Sequence, residues 1–167
     1  MKSYHGSEIR NVAVVGHAHS GKTTLVSALL HAAKMTPKLG RVEDGSAVTA
    51  YDEEEVARQT TMQNAVAFAE WHGIKVNLVD TPGFHMFVHE AKAAMMPVEA
   101  ALIVVNTPCS VEAMTERVWH YAEEFNLPRV VVLNQMDHPR APESVHSTIA
   151  ALRTRFGRNL LDRKSVV

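Results

Sequence analysis

The chain has 167 residues, of which 46% are hydrophobic and 21% charged, and its formal net charge is −1. This length predicts one globular domain with a sizeable core, and the near-neutral charge gives no electrostatic basis for binding free DNA or RNA. Because the single cysteine, Cys109, excludes an internal disulfide and no stretch resembles a signal peptide or a membrane span, we expect a cytoplasmic protein without a membrane partner. We also expect a monomer.

The first predicted element is a buried strand, Asn11 to Val15, followed by a glycine-containing loop and a helix from Thr24 to Lys34. The loop residues are Gly16, His17, Ala18, His19, Ser20, Gly21, Lys22 and Thr23. They fit G-x-x-x-x-G-K-[ST], the phosphate loop (P-loop) of nucleotide triphosphatases. In such a loop backbone N–H groups face the phosphates, Lys22 adds positive charge and Thr23 offers a hydroxyl to Mg²⁺. The loop therefore predicts a triphosphate site, and a glycine-rich turn without a ligand is the alternative.

Residues 35–60, which we call the connecting segment, lack clear helix or strand periodicity over most of their length. They include the acidic run Asp52 to Glu55. Irregular segments of this length inside a compact domain are usually functional or disordered. The segment is therefore either a mobile surface loop with a solvated charge run or a switch segment ordered by Mg²⁺ and a γ-phosphate.

Two apolar stretches, Ala65 to Trp71 and Ile74 to Asp80, predict a β-hairpin around a His-Gly turn. The second strand ends in Asp80, Thr81, Pro82 and Gly83. An acidic residue at the end of an apolar strand is where a P-loop fold places its second Mg²⁺ site, and a glycine lets a backbone N–H approach a γ-phosphate. Alone these four residues are typical of a common turn, but behind a phosphate loop they predict a nucleotide and Mg²⁺ site.

The rest of the chain alternates helices with apolar strands. Its predicted elements are a helix over 88–98, a buried strand over 100–105, a helix capped by Ser110 and running to Phe125, a buried strand over 130–133 and a last helix ended by Gly157. This alternation predicts an α/β fold of the P-loop class, with three layers and a mostly parallel sheet carrying one antiparallel strand. Gly16, Asp80 and Asn134 all follow strand ends, where ligands bind in such sheets.

The four residues that directly follow the last predicted strand indicate which base is bound. They are Asn134, Gln135, Met136 and Asp137. The carboxylate of Asp137 can accept hydrogen bonds from N1–H and the exocyclic amine of guanine, whereas adenine offers no such pair of donors. An unpaired buried carboxylate would penalise ATP. The motif therefore predicts GTP and GDP, and a plain turn or helix cap, or an ATP-using P-loop enzyme, is the alternative.

Together these motifs resemble the GTP-binding domain of a translational GTPase. Among translational GTPases, they most resemble elongation factor G. The resemblance runs from Ile9 to Asp137 and more weakly to Asn159. It is carried by Gly16 to Thr24, Gly40 to Gly45, Arg58 to Thr61, Asp80 to Gly83, Phe87, Val111, Glu112, Glu116, Val118, Trp119, Pro128, Arg129 and Asn134 to Asp137. It implies a GTP-binding domain over residues 1–159, a divergent tail over 160–167, and GTP hydrolysis on the ribosome in translocation or ribosome recycling.

The resemblance also implies residue roles. Nucleotide would be bound by Gly16, His17, Ala18, His19, Ser20, Gly21, Lys22, Thr23, Thr24, Asp80, Thr81, Pro82, Gly83, Asn134, Gln135, Met136 and Asp137. Mg²⁺ would be held by Thr23 and Thr61 and, through water, by Asp80. Lys22, Thr61 and Gly83 would act in catalysis. Phe84 stands where the family has a histidine that orients the attacking water, and His85, the next residue, is the remaining candidate for that role.

Other departures from the family pattern lead to further expectations. Gln135 replaces a lysine that packs along guanine, Gln59 and Thr60 replace Gly-Ile, and His19 replaces an aspartate. No counterpart of the fifth guanine motif precedes Val167, so we expect the C-terminal part of the domain to be missing and a sheet edge to be exposed. Because of Phe84, a GTP-binding switch that does not hydrolyse GTP remains an alternative to a GTPase.

Overall fold

The computed structural model describes residues 2–157 and residue 160. The expected tail over 160–167, apart from residue 160, and the end of the resemblance at Asn159 therefore lie outside the described residues. The strands are β1 (Ile9–Gly16), β2 (Ala65–Trp71), β3 (Ile74–Asp80), β4 (Ala100–Asn106) and β5 (Arg129–Asn134). The α-helices are α1 (Lys22–Ala32), α2 (Glu53–Arg58), α3 (Val88–Met95), α4 (Ala113–Glu124) and α5 (Ala141–Phe156).

The five strands form one sheet in the order β2-β3-β1-β4-β5. Strand β1 lies between β3 and β4 and runs parallel to both, and β5 runs parallel to β4. Only β2 is antiparallel to its neighbour, because it forms a hairpin with β3. The two turn residues, His72 and Gly73, have φ values of 47° and 85°, the positive angles that a tight two-residue hairpin needs. The predicted mostly parallel sheet with one antiparallel strand is confirmed.

Apolar side chains leave both faces of the sheet, and helices cover them on both sides. Successive residues of β1 point to opposite faces, so Ala13 and Val15 belong to one core cluster and Val14 to another. The first cluster includes buried residues of α3, α4 and α5, and the second includes those of α1. This is the predicted three-layer α/β/α arrangement. None of the helices in the described part of the chain is both long and apolar enough to cross a membrane.

Helix α2 lies inside the connecting segment, where the sequence showed no periodicity. Asp52 caps it by accepting hydrogen bonds from the backbone N–H groups of Glu54 and Glu55 at 2.9 and 3.3 Å. The acidic run therefore forms the first turn of a helix, where its negative charges interact favourably with the positive end of the helix dipole. With only six residues, α2 is too short to show a clear apolar stripe.

Two other expectations were wrong. Ser110 does not cap a helix, because it has a φ of 63° and α4 begins three residues later with Glu112 as its N-cap residue. Strand β5 is not fully buried either, since it lies at the edge of the sheet and Val130 is 56% exposed. An apolar run looks the same in an edge strand and a central strand, and only the strand order distinguishes them.

Candidate functional site

Three loops meet at the carboxyl ends of the parallel strands and enclose a cleft of about 250 Å³. They are the loop between β1 and α1, the residues after β3 and the residues after β5, and the connecting segment closes the remaining side. The cleft is lined by Ala18, His19, Gly21, Lys22, Thr23, Thr24, Val42, Glu43, Gln59, Thr61, Gly83, Phe84 and Gln135. The sheet topology thus brings together motifs that are separated by more than a hundred residues in sequence.

Lys22 is the buried cation of this cleft. It is the first residue of α1, directly after Gly21, which takes a φ of 86° that favours glycine. Its side chain is only 6% exposed, and Nζ donates a hydrogen bond to the backbone carbonyl of His17 at 2.8 Å. Burial lowers the pKa of Lys22 to about 8, although the nearby carboxylates of Asp80 and Glu112 act in the opposite direction. A buried ammonium of this kind favours an anionic ligand.

Gly83 brings the backbone after β3 into contact with the phosphate loop. A Cβ at this position would overlap Nζ of Lys22 and lie 2.5 Å from N and 2.7 Å from Cα of Ala18. No side chain larger than hydrogen fits there without displacing backbone atoms. The N–H of residue 83 is therefore held beside the ammonium and the phosphate loop, as expected for a group that approaches the terminal phosphate.

Oxygen groups suited to Mg²⁺ surround the start of α1. The hydroxyls of Thr23 and Thr61 are 3.1 Å apart. Asp80 is fully buried, and its Oδ1 atom has no hydrogen-bond partner among the described residues. Burial raises the pKa of Asp80, while the hydroxyls of Thr49 and Thr23 and the ammonium of Lys22 favour its ionised form. Hydroxyl and carboxylate oxygens are the ligands Mg²⁺ prefers, so these residues fit that ion.

The connecting segment is folded onto this site. The hydroxyl of Thr49 donates to Oδ2 of Asp80 at 2.8 Å, and Thr49 is 1% exposed. Glu55, in α2, accepts hydrogen bonds from the backbone N–H groups of Met62 and Gln63 at 2.6 and 2.9 Å. Those contacts hold the chain that carries Thr61. The geometry therefore favours the switch interpretation of this segment over a loop without contacts to the site.

The last residue of β5 and the residue after it are bonded to the phosphate loop through their side-chain amides. Asn134 Nδ2 donates to the carbonyl of Ser20 at 2.8 Å, and Gln135 Nε2 donates to the carbonyl of His19 at 2.6 Å. Gly21 permits this approach, because a Cβ there would collide with Nδ2 of Asn134. The predicted base motif and the predicted phosphate loop are therefore held at a fixed separation.

The remaining predicted residues lie around the cleft rather than in its lining. Gly16, Ser20, Thr81 and Pro82 are buried behind it, and His17 is half-buried and bonded through its ring to the start of α4. Met136 and Asp137 are exposed beside Gln135, so Asp137 is not the buried carboxylate that the sequence predicted. His85 is exposed and absent from the lining, whereas Phe84 is in the lining. The ring of Phe84 packs edge-on against His19, with centroids 5.4 Å apart.

Sequence reasoning missed Thr49, Glu55 and the lining residues Val42 and Glu43 as parts of the site. Thr49 belongs to no recognised motif and is 31 residues from Asp80 in sequence. Its hydrogen bond to Asp80 therefore depends on how the connecting segment folds. Val42 and Glu43 lie in the Gly40 to Gly45 stretch of the resemblance, which was the one available signal for them.

Comparisons with known proteins agree with this geometry. A family described as the elongation factor Tu GTP binding domain matches residues 7–165. An elongation factor G-like protein of Mycobacterium tuberculosis is 39% identical over 92% of this chain and 21% of its own length. A mitochondrial ribosome-releasing factor 2 of Candida albicans is 34% identical over 93% of this chain and 20% of its own length. The chain thus spans about a fifth of the length of these curated relatives.

Solved structures share the fold. A protein of Thermus thermophilus superposes with a TM-score of 0.83 at 39% identity, over 91% of this chain and 23% of that one. Elongation factor SelB of Methanococcus maripaludis, solved with the GTP analogue GppNHp, gives 0.67 at 21% identity over 87% of this chain and 26% of its own, which shows the fold alone. With the family match covering nearly the whole chain, the protein belongs to the family of the elongation factor Tu GTP-binding domain, among the translational GTPases related to elongation factor G.

Proposed function

We propose that this chain binds GTP and GDP with Mg²⁺ and acts as the GTPase switch module of a ribosome-dependent translation factor, in translocation or in ribosome recycling. The observation that carries the proposal is one cluster at the carboxyl ends of the parallel strands. In this cluster the buried ammonium of Lys22 lies among the oxygen groups of Thr23, Thr61 and Asp80. The names of the relatives, an elongation factor G-like protein and a ribosome-releasing factor, support the assignment to translation.

Each part of the cleft has a role in binding. The phosphate loop presents backbone N–H groups and the N-terminal end of α1 to the phosphates, where Lys22 adds positive charge. Gly83 brings a further N–H to the terminal phosphate. Asn134 holds the phosphate loop and the base motif together, and Asp137, exposed beside it, accepts the two guanine donors. Gln135, which lines the cleft, would pack along the base.

Thr23 and Thr61 would hold Mg²⁺ directly, and Asp80 would hold it through a water molecule. Bound there, the ion neutralises charge on the phosphates and keeps them in place for hydrolysis. Thr61 would contact the ion that binds the terminal phosphate, so loss of that phosphate would remove one of the contacts that order this stretch, leaving those of Glu55. This is the physical basis for a switch that distinguishes GTP from GDP.

A second candidate function is a GTP-dependent switch that does not hydrolyse its nucleotide. The observation that favours it is Phe84, because an aromatic ring without a proton-accepting group lines the cleft beside Gly83. His85, the other candidate for orienting water, is exposed outside the lining. The leading proposal requires that water be oriented by the backbone and by Thr61.

Single-turnover hydrolysis separates the two functions. The domain is assayed alone and within a protein as long as its curated relatives; each is loaded with γ-labelled GTP, and phosphate release is followed with and without ribosomes. Phosphate release that ribosomes accelerate supports the GTPase. Tight GTP binding by the longer protein with no phosphate release in either condition supports the switch without hydrolysis and refutes the GTPase assignment.

The proposed partner is the ribosome, met through the larger proteins to which this domain corresponds. We propose that the chain is a monomer and does not bind free DNA or membranes. The cytoplasm remains the proposed location, although named relatives include mitochondrial factors.

A further inference from the structure

Thr49 makes the most buried contact between the connecting segment and the site. Its hydroxyl is 2.8 Å from Oδ2 of Asp80, and the two residues are 1% and 0% exposed. The bond joins a part of the segment without regular structure to the end of strand β3. Neither the phosphate loop nor the base motif requires such a residue.

The bond restricts the orientation of the Asp80 carboxylate. The hydroxyl of Thr49 donates to Oδ2 at 2.8 Å, and both residues are almost completely buried. A carboxylate group otherwise rotates broadly about its last torsion. With Oδ2 occupied by Thr49, the buried and unpartnered Oδ1 is the oxygen left available to a water molecule on a cation.

The same stretch of chain reaches the proposed Mg²⁺ ligands again at its other end. From Thr49 the chain passes through α2 to Thr61, whose hydroxyl lies 3.1 Å from that of Thr23. Glu55 fixes this second end through the N–H groups of Met62 and Gln63. Residues 49–61 therefore form a loop closed on the proposed Mg²⁺ site at both ends.

We propose that Thr49 is a positioning residue for Asp80 and the second anchor of the connecting segment, so that Mg²⁺ affinity and the order of that segment are coupled through one hydroxyl. The proposal rests on the proposed function for the identity of the metal and nucleotide. The hydrogen bond itself exists without either ligand, so its effect on the segment can be measured independently.

The test compares three variants of the chain. Thr49→Val removes the hydroxyl at nearly constant volume, and Thr49→Ser restores it. Thr148→Val is the matched control, because Thr148 is 0% exposed and donates a hydrogen bond to the carbonyl of Thr107 at 3.0 Å, yet α5 contributes no residue to the cleft. All three changes are made in buried threonines, so general loss of stability is controlled.

The first readout is trypsin cleavage after Arg41 and Arg58 in nucleotide-free protein. Thr49→Val should be cleaved at least about tenfold faster than the wild type, because an unsatisfied buried acceptor commonly costs that much in local opening. The second readout is the Mg²⁺ concentration that half-maximally slows release of a fluorescent GDP analogue. That concentration should rise at least about tenfold. Thr49→Ser and Thr148→Val should stay within about threefold of the wild type in both.

Several outcomes overturn the proposal: a Thr49→Val variant that matches the wild type in either readout, one that binds Mg²⁺ more tightly, or a serine variant that behaves like the valine one. Failure of the wild-type chain to bind any guanine nucleotide would instead refute the proposed function. In that case the cleavage rates of nucleotide-free protein still decide the role of Thr49, and equal rates would overturn it.

Discussion

Replacing Gly83 with alanine tests the contact between the β3 loop and the phosphate loop. The added Cβ would overlap Nζ of Lys22 and lie 2.5 Å from N and 2.7 Å from Cα of Ala18. The lysine side chain can move away, but the backbone of residue 18 is fixed between β1 and α1. The whole loop after β3 must therefore shift.

The cost of this shift can be estimated. Adding a methylene to a well-packed site typically costs about 1–3 kcal/mol, and each kcal/mol lowers Tm by about 2–4 °C in a domain of this size. Because the displaced Lys22 and the displaced N–H of residue 83 both face the proposed phosphate position, we also expect affinity for GTP to fall at least about tenfold, since a hydrogen bond to a charged group contributes about 1.5–3 kcal/mol.

Two other glycines supply controls for the assay. Gly73 has a φ of 85° but open space around it, so Gly73→Ala tests backbone strain alone, at about 1–2 kcal/mol. Gly6 has neither strain nor neighbours within 4 Å, so Gly6→Ala should be close to neutral. Urea unfolding gives the free energy of unfolding, and titration with a fluorescent GTP analogue gives the affinity. Only Gly83→Ala should lower both.

A Gly83→Ala variant whose unfolding free energy and GTP affinity match those of Gly6→Ala would show that the overlap at residue 83 has no effect. A Gly73→Ala variant that lowers GTP affinity as much as Gly83→Ala does would also count against a local effect. In the second case a general loss of stability, rather than the local overlap with Ala18 and Lys22, would explain the effect.

Three further predictions concern single residues of the site. Because the pKa of Lys22 is lowered to about 8, GTP affinity should fall as pH rises above about 8. The free energy of unfolding should rise between pH 8 and 10.5, because the unfolded chain binds the proton more tightly there. Lys22→Met should abolish both trends. Asp137→Asn should shift preference from guanine to xanthine nucleotides, because the amide can donate where the carboxylate accepted. Phe84→His should speed single-turnover GTP hydrolysis at least about tenfold, because an imidazole would then line the cleft.

Each of these predictions has a direct contradiction. A GTP affinity independent of pH up to about 10 would mean that the charge of Lys22 does not contribute to binding. Unchanged guanine selectivity in Asp137→Asn would remove Asp137 from the base site. A Phe84→His variant no faster than Phe84→Ala would show that the side chain at this position does not limit hydrolysis.

Sequence patterns predicted the strands that carry a clear local signal. β1 and β4 are continuous apolar runs covered on both faces, and β2 and β3 flank a His-Gly turn, so their positions could be inferred. β5 has a similar run of valines and was expected to be buried, yet Val130 is 56% exposed at the sheet edge. Burial of a strand depends on its neighbours, which local composition does not specify.

The predictability of the site divides in the same way. The phosphate loop and the residues after β3 and β5 are local motifs whose geometry follows from a few consecutive residues. The roles of Thr49 and Glu55 depend on tertiary contacts of an irregular segment, and the side chains involved are common in loops. Helix α2 was missed because its residues, EEEVAR, show no apolar face, and its stability depends on the Asp52 cap.

The affinity of the chain for GTP, GDP and ATP, measured by calorimetry with and without Mg²⁺, decides whether the cleft binds guanine nucleotides with magnesium. We expect that GTP and GDP bind, that GTP binding weakens markedly without Mg²⁺, and that ATP in large excess does not compete. Equal competition by ATP and GTP, or GTP binding that is independent of Mg²⁺, would contradict the assignment of this cleft as a guanine nucleotide and magnesium site.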